Sequence, residues 1–308
     1  MDLTKVQGFD NMGNTCFMNS ALQILFRCSA FTKYMLNNKF ESKVLKCYKI
    51  TLNDYFNTGV NTLEPTIIKR FIADKLPEFI GFRQHDAHEF IIHALDLLDE
   101  SLKEEKDSLS KLSSVEPENI ISKLFDCKLF TEIKSLDSSS ETLIKEPDRI
   151  VTLPIPETNN PTLDDCFLKY CETEILDGDN KWFDEKNNKK VRAEKRMKIC
   201  NCPKYFVIAL KRYKMSGNNL YKMNTSVKCP LTWDYEKYKY HCRGFVVQSG
   251  GITGGHYIAF IKQDDKWFCC NDSNISVVDE ERIKGIIGSS YILLYVKYKN
   301  WSITTNSL

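Results

Sequence analysis

Apolar residues recur at helical spacing in three stretches of the first third of the chain. After Cys16, the residues Phe17, Ala21, Ile24 and Leu25 repeat every three to four positions, which predicts an amphipathic helix opening at Cys16. Asn14 and Thr15, just before it, are residue types that accept hydrogen bonds from the first free amides of a helix. Between Ser42 and Phe82 only short helical patterns appear, such as Ile67, Ile68, Phe71 and Ile72. The strongest stripe follows: Phe90, Ile91, Ala94, Leu95, Leu98 and Leu102 share one face, with Asp86 and Glu89 spaced as a capping pair. From Glu104 to Asn119 the chain is charged and serine-rich and reads as an exposed loop or helix end. Beyond it come short β-like runs: Tyr205 to Leu210, Phe245 to Gln248, His256 to Ile261, Trp267 to Cys270 and Tyr291 to Tyr298, with a polar turn at Gln263 to Lys266. No internal repeat is seen. The pattern predicts an α+β chain, helical first and strand-rich second.

Composition narrows the classes. A chain of 308 residues exceeds the usual single-domain length, but one elaborated domain reaches this size with ample core. The formal charge of +2 offers no basic field for nucleic acid or an anionic membrane. No apolar run approaches the ~20 residues that span a bilayer, and the start, MDLTKVQGFD, lacks the apolar stretch of a secretory signal. The expectation is an intracellular protein, cytoplasmic and/or nuclear, in which the twelve cysteines are mostly reduced thiols and form no disulfide framework.

One cysteine stands apart by position. A thiol at the first turn of a helix lies among unpaired amides and at the positive end of the helix dipole, which lowers its pKa toward values where thiolate is available at neutral pH. Read alone, Cys16 is also compatible with an ordinary buried cysteine. A partner lies far along the chain, where Gly254-Gly255-His256-Tyr257 opens one strand and Asn271-Asp272-Ser273 ends the next. Cys, His and Asn or Asp are the set a thiol hydrolase needs: a nucleophile, a base, and a group that holds the imidazole in the useful tautomer. Asn11, five residues before Cys16, is a candidate oxyanion donor. For each asparagine a plainer reading stands beside this one, since Asn11 could only close a turn and Asn271 only end a strand.

GFDNMGNTCFMNSALQ, from Gly8 to Gln23, resembles the cysteine box of the ubiquitin-specific proteases, and GGHYIAFIK with WFCCNDSNISVV resembles their histidine box. Between them GFRQHDAHEFIIHALDLL, Gly81 to Leu98, resembles the glutamine-aspartate box. LPIP at Leu153 to Pro156, ALKRY at Ala209 to Tyr213 and FVVQSGG at Phe245 to Gly251 follow in the family's order, so the likeness runs from Gly8 to about Lys297.

The resemblance implies a papain-like α+β fold in one catalytic domain: a helical thumb over roughly 8–120, antiparallel β fingers and palm over roughly 121–299, and a flexible tail at 300–308. It implies a thiol-dependent deubiquitinase that acts at the carboxyl-terminal glycine of ubiquitin. Cys16 would be the nucleophile, His256 the general base and then acid, Asn271 the residue that orients it, and Asp272 a supporting polar group. The Asn11 side-chain amide and the Cys16 backbone amide would donate to the oxyanion. Gln84, Asp86, Gly254, Gly255 and Tyr257 would line the path of the ubiquitin tail, with Asp86 pairing to an arginine in that tail. The glycine loop and the segment Met215 to Asn224 would gate its entry. Expected partners are ubiquitin and its conjugates, with no nucleic acid and no membrane, and the chain is expected to be a monomer. Two alternatives remain: a thiol protease for a ubiquitin-like modifier, and a ubiquitin-binding module without catalysis.

Metal sites are not expected. His85, Asp86, His88 and Glu89 cluster in sequence but lack the one-turn spacing of helical metal ligands; His88 and His93 read as surface or packing residues. The family often holds zinc with two CxxC pairs in the fingers. Here Asp184 and Asn187 stand at the second pair's positions, and Phe130 to Ser138, where the first would fall, has no cysteine. Cys200 with Cys202, and Cys269 with Cys270, are too close in sequence to form a tetrathiolate by themselves. No cofactor is expected, and the fingers are expected to be held by strand pairing and packing alone.

Overall fold

The computed structural model describes residues 3–60, 62–109, 119–217, 219–251 and 254–298. The expected tail at 300–308 and residues 110–118 of the charged segment lie outside the described residues. A short strand β1 (Gly8–Phe9) leads into helix α1 (Cys16–Leu25), followed by α2 (Ser29–Asn37) and α3 (Lys43–Asn57). Strand β2 (Thr62–Leu63) returns to pair with β1 in parallel. Helices α4 (Thr66–Lys75), α5 (Ala87–Leu109) and α6 (Ile120–Phe125) complete this helical half, which we call the thumb.

Helix α1 is its axis. All ten of its residues are buried, because it packs against both α5 and the β-sheet behind it. A helix buried all round must find partners for its polar side chains inside the protein, and Gln23 of α1 does so: its Nε2 donates to Gln7 O at 2.6 Å and its Oε1 accepts from the Tyr55 hydroxyl at 2.7 Å. Phe9, Phe26 and Tyr55 close around it as an aromatic cluster with ring centroids 5.0 to 6.0 Å apart. Burying each such side chain contributes about 1.5–3 kcal/mol.

The second half forms two main sheets. Strands β3 (Cys127–Ser135) and β4 (Glu141–Asp148) run out into the fingers, and β5 (Ile150–Pro154) and α7 (Leu163–Tyr170) return to the palm. Strands β6 (Glu174–Leu176), β7 (Trp182–Asp184), β8 (Lys189–Val191) and β9 (Ala193–Asn201) complete the fingers, whose main sheet has the order β4-β3-β9-β6. Then follow β10 (Tyr205–Lys211), the hairpin β11 (Tyr213–Ser216) and β12 (Asn219–Lys222), β13 (Thr232–Tyr235), β14 (Tyr238–Gly250), β15 (Gly255–Gln263), β16 (Lys266–Asn271), β17 (Asn274–Val278), α8 (Glu280–Ile286) and β18 (Ser290–Lys297). The palm sheet orders them β17-β16-β15-β14-β18-β10-β5, with β13 on β14. Its neighbours are antiparallel except β10 and β5, which run parallel, so the expected antiparallel palm has one parallel edge.

Side-chain alternation on this sheet builds two cores. Tyr205, Val207 and Ala209 of β10, with Ile292 and Leu294 of β18, face the thumb. Phe206, Ile208 and Leu210, with Leu293 and Tyr295, face the opposite side, under α7 and α8. A sheet covered on both faces reads as a continuous apolar run, and β10 shows this directly in YFVIAL. Between the thumb and the fingers, the mostly buried Arg149 donates to Asp99 at 2.6 Å, to Asp126 at 3.1 Å and to Asp96.

At the fingertip the expectation of packing alone is corrected. Asp184 is fully buried. Its carboxylate accepts from Asn187 Nδ2 at 2.6 Å, Lys186 N at 3.0 Å, Ser138 Oγ at 3.1 Å and Asn187 N at 3.3 Å, and Asn187 Nδ2 also reaches Ser140 Oγ at 3.1 Å. A buried carboxylate needs such donors, and they draw its pKa down to about 2, the Asn187 amide most of all. Asp184, Asn187, Ser138 and Ser140 bring together two hydroxyls, one carboxylate and one amide. This donor set does not fit a structural zinc, which takes thiolate and imidazole.

Candidate active site

Cys16 opens α1 as the sequence pattern predicts, but its surroundings differ from the expectation in two ways. Asn14 and Thr15 do not cap the helix. Thr15 Oγ1 accepts from Met12 N at 2.9 Å, and Asn14, in a left-handed conformation with φ 58°, donates to Phe82 O at 2.8 Å. The amides of the first turn are therefore left for another acceptor. The thiol is also not acidified: burial pushes the Cys16 pKa above that of an ordinary cysteine, and the nearby Asp272 charge adds to the rise. Hydrogen bonds from the backbone N–H groups of Tyr257, Phe17 and Cys16 itself oppose these effects without overcoming them. At rest the nucleophile candidate is a thiol, and it needs a base.

That base is at hand because α1 packs on β15. Tyr257 N–H faces the Cys16 sulfur, and His256 is the residue before it. On the neighbouring strand Ala259 pairs with Cys270, which places Asn271 beside the start of β15. His256 Nε2 donates to Asn271 Oδ1 at 2.6 Å. With Nε2 carrying the proton, Nδ1 is the free base. The structure thus gathers Cys16, His256 and Asn271 at the junction of thumb and palm.

Asp272 follows in the β16–β17 turn, left-handed with φ 51°. Its Oδ2 accepts from Asn11 Nδ2 at 2.9 Å and its Oδ1 from Asn19 Nδ2 at 2.8 Å. Its backbone oxygen accepts from Phe9 N at 3.0 Å. This approach is tight: a Cβ on Gly8 would meet Ser273 O at 2.5 Å, so only glycine lets β1 lie against the turn. Asn11 Oδ1 accepts from Thr15 N at 3.0 Å, so one amide hydrogen and the oxygen of Asn11 are already engaged.

Next to this centre lies an open cleft of about 410 Å³, lined by Gln84, Asp86, Glu89, Gln248, Gly254, Gly255 and Tyr257 among others. All five residues expected along the tail's path meet here. Gln84 bridges the cleft: its Oε1 accepts from Gly255 N at 2.9 Å and its Nε2 donates to Asn14 Oδ1 at 3.4 Å. Gly255 has no room for a side chain, since a Cβ would lie 2.1 Å from Gln248 Nε2 and 2.4 Å from Ser249 O. Asp86 caps α5 through His88 N at 2.7 Å and accepts the Tyr291 hydroxyl at 2.7 Å. Lys222, from the β11–β12 hairpin, donates to Gln248 O at 2.8 Å and Gly250 O at 2.9 Å, which ties that hairpin to the glycine loop. Residues 252–253 of the loop and 218 of the hairpin lie outside the described residues.

The histidine and carboxylate cluster disperses. His88 Nε2 meets Thr152 Oγ1 at 3.1 Å, His85 packs between Phe17 and Phe79, and His93 sits 3.7 Å from Glu78. Among the described residues no group of three or more His, Cys, Asp or Glu is placed to hold a metal ion. All twelve cysteines are free thiols.

Two site residues leave little or no mark that the sequence reading uses. Tyr291 holds Asp86 from a strand 205 residues away, and no local pattern marks it. Asn19 does leave a signal: with Ser20 and Gln23 it is a polar intrusion in a helix that is otherwise apolar on every face.

The sequence profile of the ubiquitin carboxyl-terminal hydrolases matches residues 7–295. The chain belongs to that family. Ubiquitin carboxyl-terminal hydrolase 4 of Arabidopsis thaliana is 29% identical, over 94% of this chain and 92% of its own length. Hydrolase 3 of Homo sapiens is 26% identical over 95% of this chain and 68% of its own. Hydrolase 16 of Arabidopsis thaliana is 27% identical, with this chain spanning 30% of it. Among solved structures, a SAGA DUB module of Ubp8, Sgf11, Sus1 and Sgf73 bound to monoubiquitin superposes with a TM-score of 0.79 at 22% identity, covering 97% of this chain and 71% of that one, which shows a shared fold.

Proposed function

We infer that this chain is a deubiquitinase that hydrolyses the bond to the carboxyl-terminal glycine of ubiquitin through a thioester on Cys16. The observation that carries the mechanism is the 2.6 Å hydrogen bond from His256 Nε2 to Asn271 Oδ1, beside a thiol whose sulfur faces the next residue's N–H. His256 Nδ1 takes the proton as the Cys16 sulfur attacks the carbonyl carbon. The C–N bond then breaks as the imidazolium returns that proton to the leaving amine. Water, deprotonated by the same nitrogen, splits the thioester and frees the thiol. Because Cys16 rests protonated, its deprotonation accompanies attack and is not complete beforehand. The tetrahedral oxygen is met by the uncapped Cys16 N–H and the remaining Asn11 N–H, and loss of one such donor typically costs about 10²–10³ in rate.

Charge supports a ubiquitin tail as the occupant of the cleft. Its lining carries the Asp86 and Glu89 carboxylates and, among the described residues, no lysine or arginine, which suits a basic extended peptide. The close approach at Gly254 and Gly255 suits a narrow, glycine-ended one. Gln84 closes the same path and must release Gly255 N or shift as the tail enters. A ubiquitin probe with an electrophilic end tests the reading: it should label Cys16, and a probe built on a ubiquitin-like modifier should not. Preferential labelling by the modifier probe would reassign the substrate, and binding without labelling would make the chain a silent module.

A further inference from the structure

We propose that Asn19 is a positioning residue that acts through Asp272 on Asn11, holding the oxyanion donor in register with the helix that carries the nucleophile. The proposal rests on the thioester mechanism above. Asn19 lies one turn beyond Cys16 and is 2% exposed. Its Nδ2 donates to Asp272 Oδ1 at 2.8 Å, Asp10 O at 3.2 Å and Phe9 O at 3.4 Å, so both of its amide hydrogens are used on the segment and the turn that flank the site. Its Oδ1 is buried without a partner. An unpartnered buried acceptor is unfavourable, and an apolar side chain of similar size would avoid it. Packing alone therefore does not account for an asparagine here; its donors do.

Those donors close a ring. Thr15 N, at the start of α1, donates to Asn11 Oδ1 at 3.0 Å; Asn11 Nδ2 donates to Asp272 Oδ2 at 2.9 Å; Asp272 Oδ1 accepts from Asn19, back on α1. The Asp272 carboxylate is the hub, and with an asparagine on each oxygen it cannot rotate without breaking one contact. The second N–H of Asn11 has no protein acceptor among the described residues and is the one available to an oxyanion. Because both ends of the ring are on α1, Cys16 and the Asn11 donor move together whenever the thumb shifts against the palm. Without Asn19, Asp272 is fixed from one side only, and the aim of Asn11 loosens. A misplacement of about 1 Å can cost about 10²-fold in rate.

A double-mutant cycle on a fluorogenic ubiquitin substrate tests the relay. Asn19→Leu should lower kcat by about 10- to 100-fold with KM unchanged, and should add little in a chain already carrying Asn11→Ala. Losses that multiply in the double variant, or a change confined to KM, would overturn it. If the leucine variant does not fold, Asn19→Ser is read in the same way. An unsubstituted chain that folds but fails to turn over ubiquitin defeats the functional reading, a different result from multiplying losses in an active one. A substrate-free measurement covers that case: the Asn11 side-chain amide proton shifts should move toward those of a free asparagine in Asn19→Leu, and unmoved shifts contradict the relay.

Discussion

Asp272 at the cleft and Asp184 at the fingertip are the same chemical device put to two uses. Each is a carboxylate with both oxygens taken up by short-range donors. Asp184 draws its donors from its own hairpin and the adjacent β3–β4 turn, has no reactive group beside it, and its pKa falls to about 2. Asp272 draws its donors from the thumb, more than 250 residues away in sequence, and lies close enough to Cys16 to raise the thiol's pKa. The first ties a sheet end together. The second ties two halves of the molecule together beside the Cys16 sulfur. A satisfied carboxylate stiffens whatever it joins, and what it joins decides what that stiffness can serve.

The comparison can be broken in order of expected effect. Cys16→Ala should reduce turnover by about 10⁴-fold or more while leaving ubiquitin binding intact, measured by hydrolysis and by calorimetry in parallel. Next, Asp272→Ala should cost about 10²–10³ in kcat, because Asn11 loses its anchor. The isosteric Asp272→Asn separates charge from geometry: Cys16 should react faster with a small alkylating agent at about pH 8, since one source of its raised pKa is gone, while turnover of ubiquitin falls. If both rates move together, the charge and the clasp are not separable as described.

Asp184→Asn should leave alkylation of Cys16 unchanged and weaken ubiquitin binding by no more than about tenfold, the scale of one or two lost hydrogen bonds. Its pH dependence has a fixed sign. A carboxyl whose folded pKa, about 2, lies below its ordinary 3.8 contributes stability in full above the ordinary value and loses it as pH falls toward 2. Protection against hydrogen exchange in the β7–β8 hairpin, taken relative to the intrinsic rate at each pH, should therefore hold at about pH 5 and fall between about pH 4 and 2, and in Asp184→Asn that step should vanish.

The same two carboxylates show what a sequence carries and what it withholds. Cys16 and His256 are legible because each sits in a local pattern, a helix start and a strand start, and the chemistry of the pair is specific. Their join is not local, since α1 must pack on β15 to bring them together. The Cys16 pKa runs opposite to the sequence expectation for this reason: a helix start is visible in sequence, whereas burial of the thiol and the facing Asp272 exist only in three dimensions. Asp184 sits in WFDEKNN, and nothing in that string reveals that Ser138 arrives from another hairpin. Longer elements look shorter in sequence where the pattern breaks. Strand β14 spans Tyr238–Gly250, but a bulge between Cys242 and Gly244 shifts its alternation, and α3 hides a single helix behind tyrosines and a threonine on its buried face.

The most direct test of the account is release of a fluorescent leaving group from the carboxyl terminus of ubiquitin, measured for the unsubstituted chain, for Cys16→Ala, and for the unsubstituted chain after chelator treatment. Turnover that requires Cys16 and is unchanged by chelation is the predicted result. Turnover that survives Cys16→Ala, or that disappears with the chelator, would contradict it.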